Sequence, residues 1–397
     1  MRKGEAKKSG LMKAFGLILA VLLAAGLGGC GSDYDDDSDI SPLSYLALAN
    51  TDYDAGQAAK IKVDENGSFP AVQNSTTLDA DPGGMHITNK TGQETVFLAG
   101  RQTSTIYKLD PDQGMNVRDS YTIGPGTWAT NPQDILVVSK SKAYVTRYAN
   151  AYDDLLIIDP RDGSTKGTID FTGIPTNGDT LARPADMVEA GNTVFVAIQN
   201  LDTFGDSCDD TVQPGFIAVI NPATDSIADT ITLNKSNPSR LYYDKARHEI
   251  LVASAGYYNF CPGVPHTQSS GLEAVSASFP YAHYVVVSGD DPDINGNIYD
   301  VALAGEENAY VLVAYGFNFE DRARKVDLAG GSVDSGFRYP ATNSGNDALS
   351  GIQVAEGFLF IGDRTNSGVE VIRTSDDKEV GFQALDLSPM IMRAKVK

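Results

Sequence analysis

PQDILVVSKSKAYVTRYANAYDDLLIIDP, residues 132–160, holds the pattern that decides the fold. Three short runs rich in β-branched and aromatic residues alternate with polar turns, and the third run ends at Asp159-Pro160. Runs of this length and composition, bounded by turn residues, are typical of antiparallel β-strands. The stretch therefore predicts consecutive strands of one small sheet.

The middle run of this stretch recurs along the whole chain. Seven copies lie about 50 residues apart, which is within the range of propeller blades. The copies occupy residues 45–50, 96–99, 143–147, 194–197, 250–253, 310–313 and 358–361. With the Pro-led run before several copies and the turn-bounded runs after them, each repeat contains four predicted strands. The sequence predicts an all-β, seven-bladed β-propeller; an open pair of β-sandwiches and a ring of six or eight blades are the alternatives.

The two ends of the repeat region complement each other. Residues 44–73 supply three strands of the first blade but lack the Pro-led innermost strand, and Pro389-Met390-Ile391-Met392-Arg393 supplies an unpartnered one. Pairing the two ends would close the ring and leave no open edge between the last and first blades. We therefore expect a C-terminal innermost strand to join the N-terminal blade.

The repeats resemble the YVTN family of bacterial β-propellers. Tyr144-Val145-Thr146-Arg147 departs from the motif by Arg for Asn, Asp159-Pro160 opens an Asp-Pro-x-x-Gly turn, and the resemblance covers nearly all of residues 44–395. The resemblance implies a fold and no particular chemistry, because family members include cell-surface and periplasmic proteins and more distant propellers include lactonases.

The N-terminus has the pattern of an export signal. Residues 1–13 carry five basic residues and one acidic residue, and residues 14–29 are apolar or small. This stretch is too short to span ~30 Å of hydrocarbon, but it suits a signal peptide, and Leu27-Gly28-Gly29-Cys30 resembles a bacterial lipobox. We expect residues 1–29 to be a lipoprotein signal peptide, Cys30 to be lipidated, residues 30–43 to form an acidic flexible tether, and residues 44–397 to form the propeller. One alternative is an ordinary signal peptide that contains a Cys by chance, and the other is a short buried helix.

Charge and cysteine content exclude several functions. The formal charge is −21, and without residues 1–29 the chain holds 26 basic and 51 acidic residues, a net charge of −25. Nucleic-acid binding is not expected, and anionic membranes would repel the chain, so the lipid alone is expected to hold it at the membrane. Gly31 after the Cys resembles outer-membrane sorting, with the propeller facing the periplasm or the cell exterior. Three Cys without a C-x-x-C leave no c-type haem or iron–sulfur site, and no nucleotide site is expected.

Two long loops of neighbouring blades are predicted on one face, here called the top face. Residues 199–215 contain Cys208 and residues 257–270 contain Cys261, and export to an oxidising compartment favours a disulfide over two free thiols. Aromatic residues on the top-face loops predict a surface for an envelope or extracellular protein or a glycan, or else they pack on each other to hold the loops. These aromatic residues are Tyr148, Tyr152, Phe204, Tyr257, Tyr258, Phe260, Phe317 and Phe319.

An Asp/Asn/Gly loop near residue 291 has part of a calcium-binding pattern. Oxygen side chains at alternating positions followed by Gly296 suit a loop wrapped round Ca²⁺, but Ala302 stands where an EF-hand has its bidentate Glu. The candidate ligands are Asp291, Asp293, Asn295, Asn297 and Asp300. Calcium is a possible cofactor on this pattern; an ordinary surface loop is the alternative.

Asp134, Asp186, Arg240 and Asp300 occupy matching positions at the start of innermost strands. They predict either a polar site at the channel mouth or hydrogen bonding that simply repeats from blade to blade, and the second interpretation is favoured. The histidines show no metal-ligand spacing, and no nucleophile motif is present, so no catalytic residue is assigned. We expect a non-catalytic binding or scaffold module, with a metal-dependent, lactonase-like hydrolase as the alternative.

Overall fold

The computed structural model describes residues 30–32, 43–62, 71–73, 77–174, 180–202, 213–256, 267–315, 320–340 and 348–396. Over these residues the chain is almost entirely antiparallel β-structure, with two short 3₁₀ turns at Pro111–Gln113 and Thr267–Ser269. None of the helical segments within these ranges is long and apolar enough to cross a bilayer.

Seven four-stranded sheets form the blades, which confirms the predicted fold and blade number. A two-stranded ribbon, Thr180–Leu181 with Leu201–Asp202, stands apart from the blades. Strands are given from innermost to outermost: blade 1 contains Ser388–Val396, Leu43–Thr51, Gly56–Ile61 and Ala71–Gln73, and blade 2 contains Pro82–Thr88, Thr95–Gly100, Thr105–Asp110 and Asn116–Thr122. Blade 3 contains Pro132–Ser139, Lys142–Arg147, Asp154–Ile158 and Thr165–Asp170; blade 4 contains Pro184–Ala190, Thr193–Ile198, Phe216–Asn221 and Ser226–Thr232; and blade 5 contains Pro238–Asp244, Glu249–Ser254, Gly271–Ser276 and His283–Ser288. Blade 6 contains Asn297–Leu303, Asn308–Tyr315, Glu320–Asp327 and Val333–Tyr339, and blade 7 contains Leu349–Ala355, Phe358–Asp363, Gly368–Arg373 and Lys378–Ala384.

The C-terminal strand closes the ring as predicted. Ser388–Val396 pairs antiparallel with Leu43–Thr51, placing Arg393 opposite Ala47. The Arg393 Nε also donates to the Met85 carbonyl of blade 2 at 3.2 Å. Blade 1 is therefore assembled from both ends of the propeller and bonded onward to the next blade.

The core consists of seven apolar clusters, each between two adjacent blades. Successive side chains of a strand point to opposite faces, so each blade contributes to two clusters. In Lys142–Arg147, Tyr144 packs toward blade 4 while Ala143 and Val145 pack toward blade 2. The second strands are buried on both faces, which explains their continuous apolar runs in the sequence.

A further short strand, Cys30–Ser32, runs parallel to Pro82–Thr88 with Cys30 opposite Met85. It also contacts the innermost strands of blades 1, 3, 4 and 5, so it lies in the middle of the ring.

Candidate functional site on the top face

The top face is the surface built by loops that join second to third strands and by loops that join one blade to the next. Its described parts include residues 52–55, 101–104, 123–131, 148–153, 233–237, 289–296 and 364–367. Innermost strands begin beneath this surface, so the predicted channel-mouth residues and the predicted loop residues belong to the same end of the propeller.

The channel-mouth carboxylates bind backbone groups of the next blade. Met187 N–H donates to Asp134 at 3.0 Å and Leu241 N–H donates to Asp186 at 2.6 Å. Ile352 N–H donates to Asp300 at 2.9 Å. One contact therefore repeats from blade 3 to 4, from blade 4 to 5 and from blade 6 to 7. The described geometry supports the interpretation that the motif encodes hydrogen bonding between blades.

Arg240 holds the same position in blade 5, where the carboxylate is missing. Its Nε lies 3.1 Å from Asp300 Oδ1, so the side chain reaches toward blade 6 as the aspartates reach toward their neighbours. Gly84 holds the position in blade 2, and a Cβ there would come within 2.1 Å of Asp134 Oδ1. The Asp134 side chain therefore uses space that a larger residue at position 84 would fill.

Burial strongly perturbs the Asp134 carboxyl. Desolvation raises its pKa well above the usual range, and the nearby Asp186 carboxylate raises the pKa further, while Arg393 lowers it. Asp134 is fully buried and Asp186 is 1% exposed. Two close buried carboxyls favour retention of a proton by one of them.

Arginine–tyrosine pairs lie along the top of the blades. Arg147 binds Asp154 through two hydrogen bonds, at 2.7 and 2.5 Å, and stacks 4.2 Å over the Tyr152 ring. The Arg183 guanidinium lies 4.8 Å over the Tyr148 ring. The substitution of Arg for Asn in the repeat motif thus comes with a carboxylate partner, Asp154, seven residues later.

Tyr148 and Tyr152 differ in exposure. Tyr148 is 2% exposed, and its hydroxyl donates to Gln199 at 2.8 Å, so it packs inside the loop layer. Tyr152 is half-buried. The remaining predicted loop residues, which lie outside the described residues, are Cys208, Cys261, Phe204, Tyr257, Tyr258, Phe260, Phe317 and Phe319.

Trp128 is a top-face residue that sequence reasoning missed. It is the single tryptophan of the chain, and 43% of it is exposed. Its loop is fixed from both sides: Trp128 N–H donates to the Gln102 carbonyl at 2.6 Å, and Thr130 N–H donates to Ser104 Oγ at 3.1 Å. A large aromatic side chain on an ordered loop is a suitable contact for a partner. The signal in the sequence was this lone Trp between Pro125-Gly126 and Asn131-Pro132.

The five candidate calcium ligands separate into two groups. Asp291 Oδ1 accepts the Asp293 N–H at 2.9 Å in an ordinary Asx turn, and Asn295 is exposed beside them. Asn297 instead donates to the Ala255 carbonyl at 2.7 Å, and Asp300 binds blade 7. Within the described residues no group of three or more His, Cys, Asp or Glu side chains could hold a metal ion. Asp291, Asp293 and Asn295 therefore lie in the loop, whereas Asn297 and Asp300 make hydrogen bonds to neighbouring blades.

Asp321 is a second perturbed carboxyl under the top face. It accepts the Leu349 N–H of blade 7 at 2.8 Å and is 8% exposed. Burial raises its pKa to about 7, against the lowering effect of the Leu349 hydrogen bond and Arg364. This group was not singled out from the sequence, because its burial depends on packing between blades 6 and 7.

No protein-family model and no curated protein matches the chain. Solved structures with a similar fold include a putative 6-phosphogluconolactonase from Bacteroides fragilis NCTC 9343, with a TM-score of 0.60, 10% identity, and coverage of 91% of this chain and 100% of that chain. Hydrazine synthase of Kuenenia stuttgartiensis has a TM-score of 0.58 at 14% identity, covering 88% of this chain and 100% of that chain. Dihydro-heme d1 dehydrogenase NirN has a TM-score of 0.54 at 12% identity, covering 92% of this chain and 77% of that chain. At such low identity the likeness shows the fold alone: the chain is a seven-bladed β-propeller, and its function has to be argued from its own residues.

Proposed function

We propose that the protein is a lipid-anchored envelope propeller of the YVTN type whose top face binds another protein or a glycan without catalysis. The observation that carries the proposal is Trp128, a large aromatic side chain that is 43% exposed on a loop fixed by backbone hydrogen bonds. Tryptophan can stack on sugar rings or on apolar groups of a protein, and its rigidity lowers the entropy lost on binding.

The surroundings of Trp128 suit a pre-organised binding surface. The neighbouring loop carries Arg101, which is 1% exposed and forms an ion pair with Asp81. In blade 3, Arg147 and Tyr152 are held together by stacking and by Asp154. Aromatic residues are enriched in interface centres, and here Trp128 is exposed and Tyr152 half-buried, whereas Arg101 and Arg147 are buried and hold their loops in place. Binding therefore requires little ordering of the described side chains.

A metal-dependent hydrolase at the channel mouth is the alternative. It would use Asp134, Asp186 and Asp300 as metal ligands. Each of these carboxylates accepts a backbone N–H from the adjacent blade, and these contacts favour a structural role. A metal-stimulated esterase or lactonase activity that disappears in Asp186→Asn, with the fold intact, would favour the hydrolase.

We propose that Cys30 carries the lipid and that the propeller is held at the outer membrane, facing the periplasm or the cell exterior. The lipobox-like residues before Cys30 support this. Metabolic labelling with an alkyne fatty acid should label the wild type and leave Cys30→Ser unlabelled. Label retained by Cys30→Ser would refute lipidation at this residue. A Cys208–Cys261 disulfide is proposed on the same export argument, and two titratable thiols in the non-reduced mature protein would exclude it.

The binding proposal is tested by site-specific photo-crosslinking in intact cells. A benzoylphenylalanine at position 128 should give reproducible adducts with one envelope protein or glycan. Phe382 is a matched control, since it is 44% exposed but lies on the outermost strand of blade 7. The top-face site would be supported by adducts that form from position 128 but not from position 382. Purified wild type should compete these adducts away, whereas Trp128→Ala should leave them unchanged. Equal adducts from both positions, or none from 128 with the protein present, would refute it.

A further inference from the structure

The outermost strand of blade 5, His283–Ser288, reads HYVVVS and contains no Lys, Arg, Asp or Glu. The outermost strands of blades 2, 3, 4, 6 and 7 each contain at least one charged residue. These charged residues are Arg118, Asp119, Lys166, Asp170, Asp229, Asp334, Arg338, Lys378 and Glu379. In blade 1 the outermost strand is only three residues long. Charges and shortness protect sheet edges from pairing with other chains, and blade 5 has neither protection.

The same hairpin concentrates exposed apolar surface. Phe279, in the turn before the strand, is 79% exposed, and its ring contacts Tyr281 edge-on at 5.9 Å. Tyr284 is 46% exposed and Val285 is 36% exposed. Half of the large hydrophobic residues that are exposed in the described chain therefore lie on this one hairpin, named here the blade 5 edge (residues 277–288). Clustered exposed apolar residues mark interaction surfaces.

Among the described residues, backbone hydrogen bonds leave one side of this strand open. His283–Ser288 is the last strand in its sheet, and its one described pairing is with Gly271–Ser276. A register shift lies between Val285 and Val287, which pair with Glu273 and Leu272. Register shifts at this point recur in other blades, for example between Ile157 and Ile158 in blade 3, so the shift by itself does not distinguish blade 5.

Charge differs between the two ends of the blade 5 edge. The top end continues directly into Asp290, Asp291 and Asp293, while the other end presents Phe279. The Ser288 hydroxyl binds Asp290, and Lys235 Nζ lies 2.6 Å from Ser288 Oγ. With one nearby lysine against three carboxylates, the top end attracts a cation. An antiparallel strand added here would have its N-terminal end next to these carboxylates.

We propose that the blade 5 edge binds an extended segment of a partner protein by β-strand addition, with apolar side chains at alternating positions and basic residues at its N-terminal end. Backbone pairing would supply affinity, and contacts with Phe279, Tyr284 and Val285 would supply specificity. A second copy of this chain fits less well. A standard interface buries ~800 Å² per partner, and the edge of one strand about 20 Å long is too small to supply that area. Two copies would also each carry the net charge of −25.

Fluorescence anisotropy with a synthetic peptide tests this proposal on the full mature chain in detergent. The probe is fluorescein-labelled KKVTVTVT. The two control peptides are EEVTVTVT and a version of the probe in which the second and third valines are replaced by proline. We expect the basic peptide to bind and both controls to bind at least about tenfold more weakly. Val285→Lys supplies the missing edge charge at an exposed position and should reduce binding by about tenfold or more, since edge lysines oppose strand addition.

Phe382→Lys on the edge of blade 7 is the matched control and should bind as the wild type does, with equal melting temperatures confirming the fold of both variants. Binding unchanged in Val285→Lys, equal binding of the proline peptide, or no binding at about 1 mM peptide would overturn the proposal. Light scattering that shows a dimer in the wild type and a monomer in Val285→Lys would overturn it in favour of a second copy. None of these results depends on Trp128, so the blade 5 edge and the top-face site are tested independently.

Discussion

The Asp134 carboxylate of blade 3 accepts the backbone N–H of Met187 in blade 4 at 3.0 Å, fully buried and close to the carboxyl of Asp186. Asp186 and Asp300 make the same contact with blades 5 and 7. This residue position thus forms a repeated connection between blades. The hydrogen bond by which Asp134 connects blades 3 and 4 can be separated by mutation from the charge of the Asp134 carboxylate.

Asp134→Asn should leave the thermal midpoint unchanged or slightly raised. The amide oxygen still accepts the Met187 N–H, and the charge that Asp186 opposes is gone. Asp134→Ala removes the acceptor and leaves a buried N–H unpaired, which should lower the free energy of unfolding by about 1–3 kcal/mol. Thermal and urea unfolding of both variants measure this. Equal destabilisation in Asn and Ala variants would show that the charge itself is needed.

Removal of residues 388–397 should abolish cooperative folding. Without its innermost strand, blade 1 exposes the edge of Leu43–Thr51, in which residues 45–51 are buried in the intact ring, to solvent and to other chains. Size-exclusion chromatography and circular dichroism should show aggregation or a broad transition. A chain lacking Lys397 alone is the control. A truncated protein that stays monomeric and melts like the wild type would contradict ring closure by this strand.

Arg147→Asn would give the sequence Tyr-Val-Thr-Asn at residues 144–147 but should destabilise this protein. Arg147 and Asp154 are each 9% exposed, so the substitution leaves a buried carboxylate without its guanidinium partner. We expect a loss of about 3 kcal/mol in the free energy of unfolding. The double variant Arg147→Asn/Asp154→Asn should recover most of that loss. A double variant no more stable than the single one would mean that the two side chains are not coupled.

The blade architecture could be predicted from sequence because it is determined by local sequence patterns that repeat. Runs such as 143–145 are apolar throughout since both faces of the second strand are buried, and similar apolar runs recur in every blade. The closing strand could be predicted because one blade lacked an innermost strand and residues 389–393 had no partner. Both inferences needed strand periodicity alone.

The top-face contacts could not be predicted in the same way. Trp128 is positioned by a hydrogen bond to Gln102, a residue of a different loop, and Arg183 stacks on Tyr148 from the neighbouring blade. Contacts between loops depend on how blades are placed in space, which no local period encodes. For the same reason the sequence does not reveal that Asn297 donates to the Ala255 carbonyl of blade 5 and that Asp300 accepts the Ile352 N–H of blade 7.

Chelation should leave the thermal midpoint of the full mature chain unchanged. Asn297 and Asp300 are bound to Ala255 and Ile352, so Asp291, Asp293 and Asn295 would be left as a partial ligand set for an ion that takes six to eight oxygens. Differential scanning calorimetry with EDTA, and then with excess CaCl₂, measures this. A midpoint lowered by EDTA, restored by Ca²⁺ and insensitive to EDTA in Asp291→Asn would show instead that the loop binds calcium.

Asp321 should make the propeller less stable as pH rises toward neutrality. Burial raises its pKa in the folded protein to about 7, above the ordinary value of 3.8, so the folded state holds a proton that the unfolded chain releases. The stabilisation from this proton is complete below about pH 4 and is lost as the pH rises through about 7, by up to about 1.4 kcal/mol per pH unit. Asp321→Asn keeps an acceptor for the Leu349 N–H and removes the titration.

The difference in free energy of unfolding between wild type and Asp321→Asn should therefore fall from pH 4 to pH 7, measured by urea unfolding across that range. Asp159 is the matched control, because hydrogen bonds from Arg161 hold the pKa of its carboxyl below the usual range. Stability from Asp159 is lost only as pH falls through that lowered pKa, so the difference between wild type and Asp159→Asn should stay nearly constant above pH 5. A flat Asp321 difference over the same range would mean that this buried carboxyl is already ionised in the folded propeller.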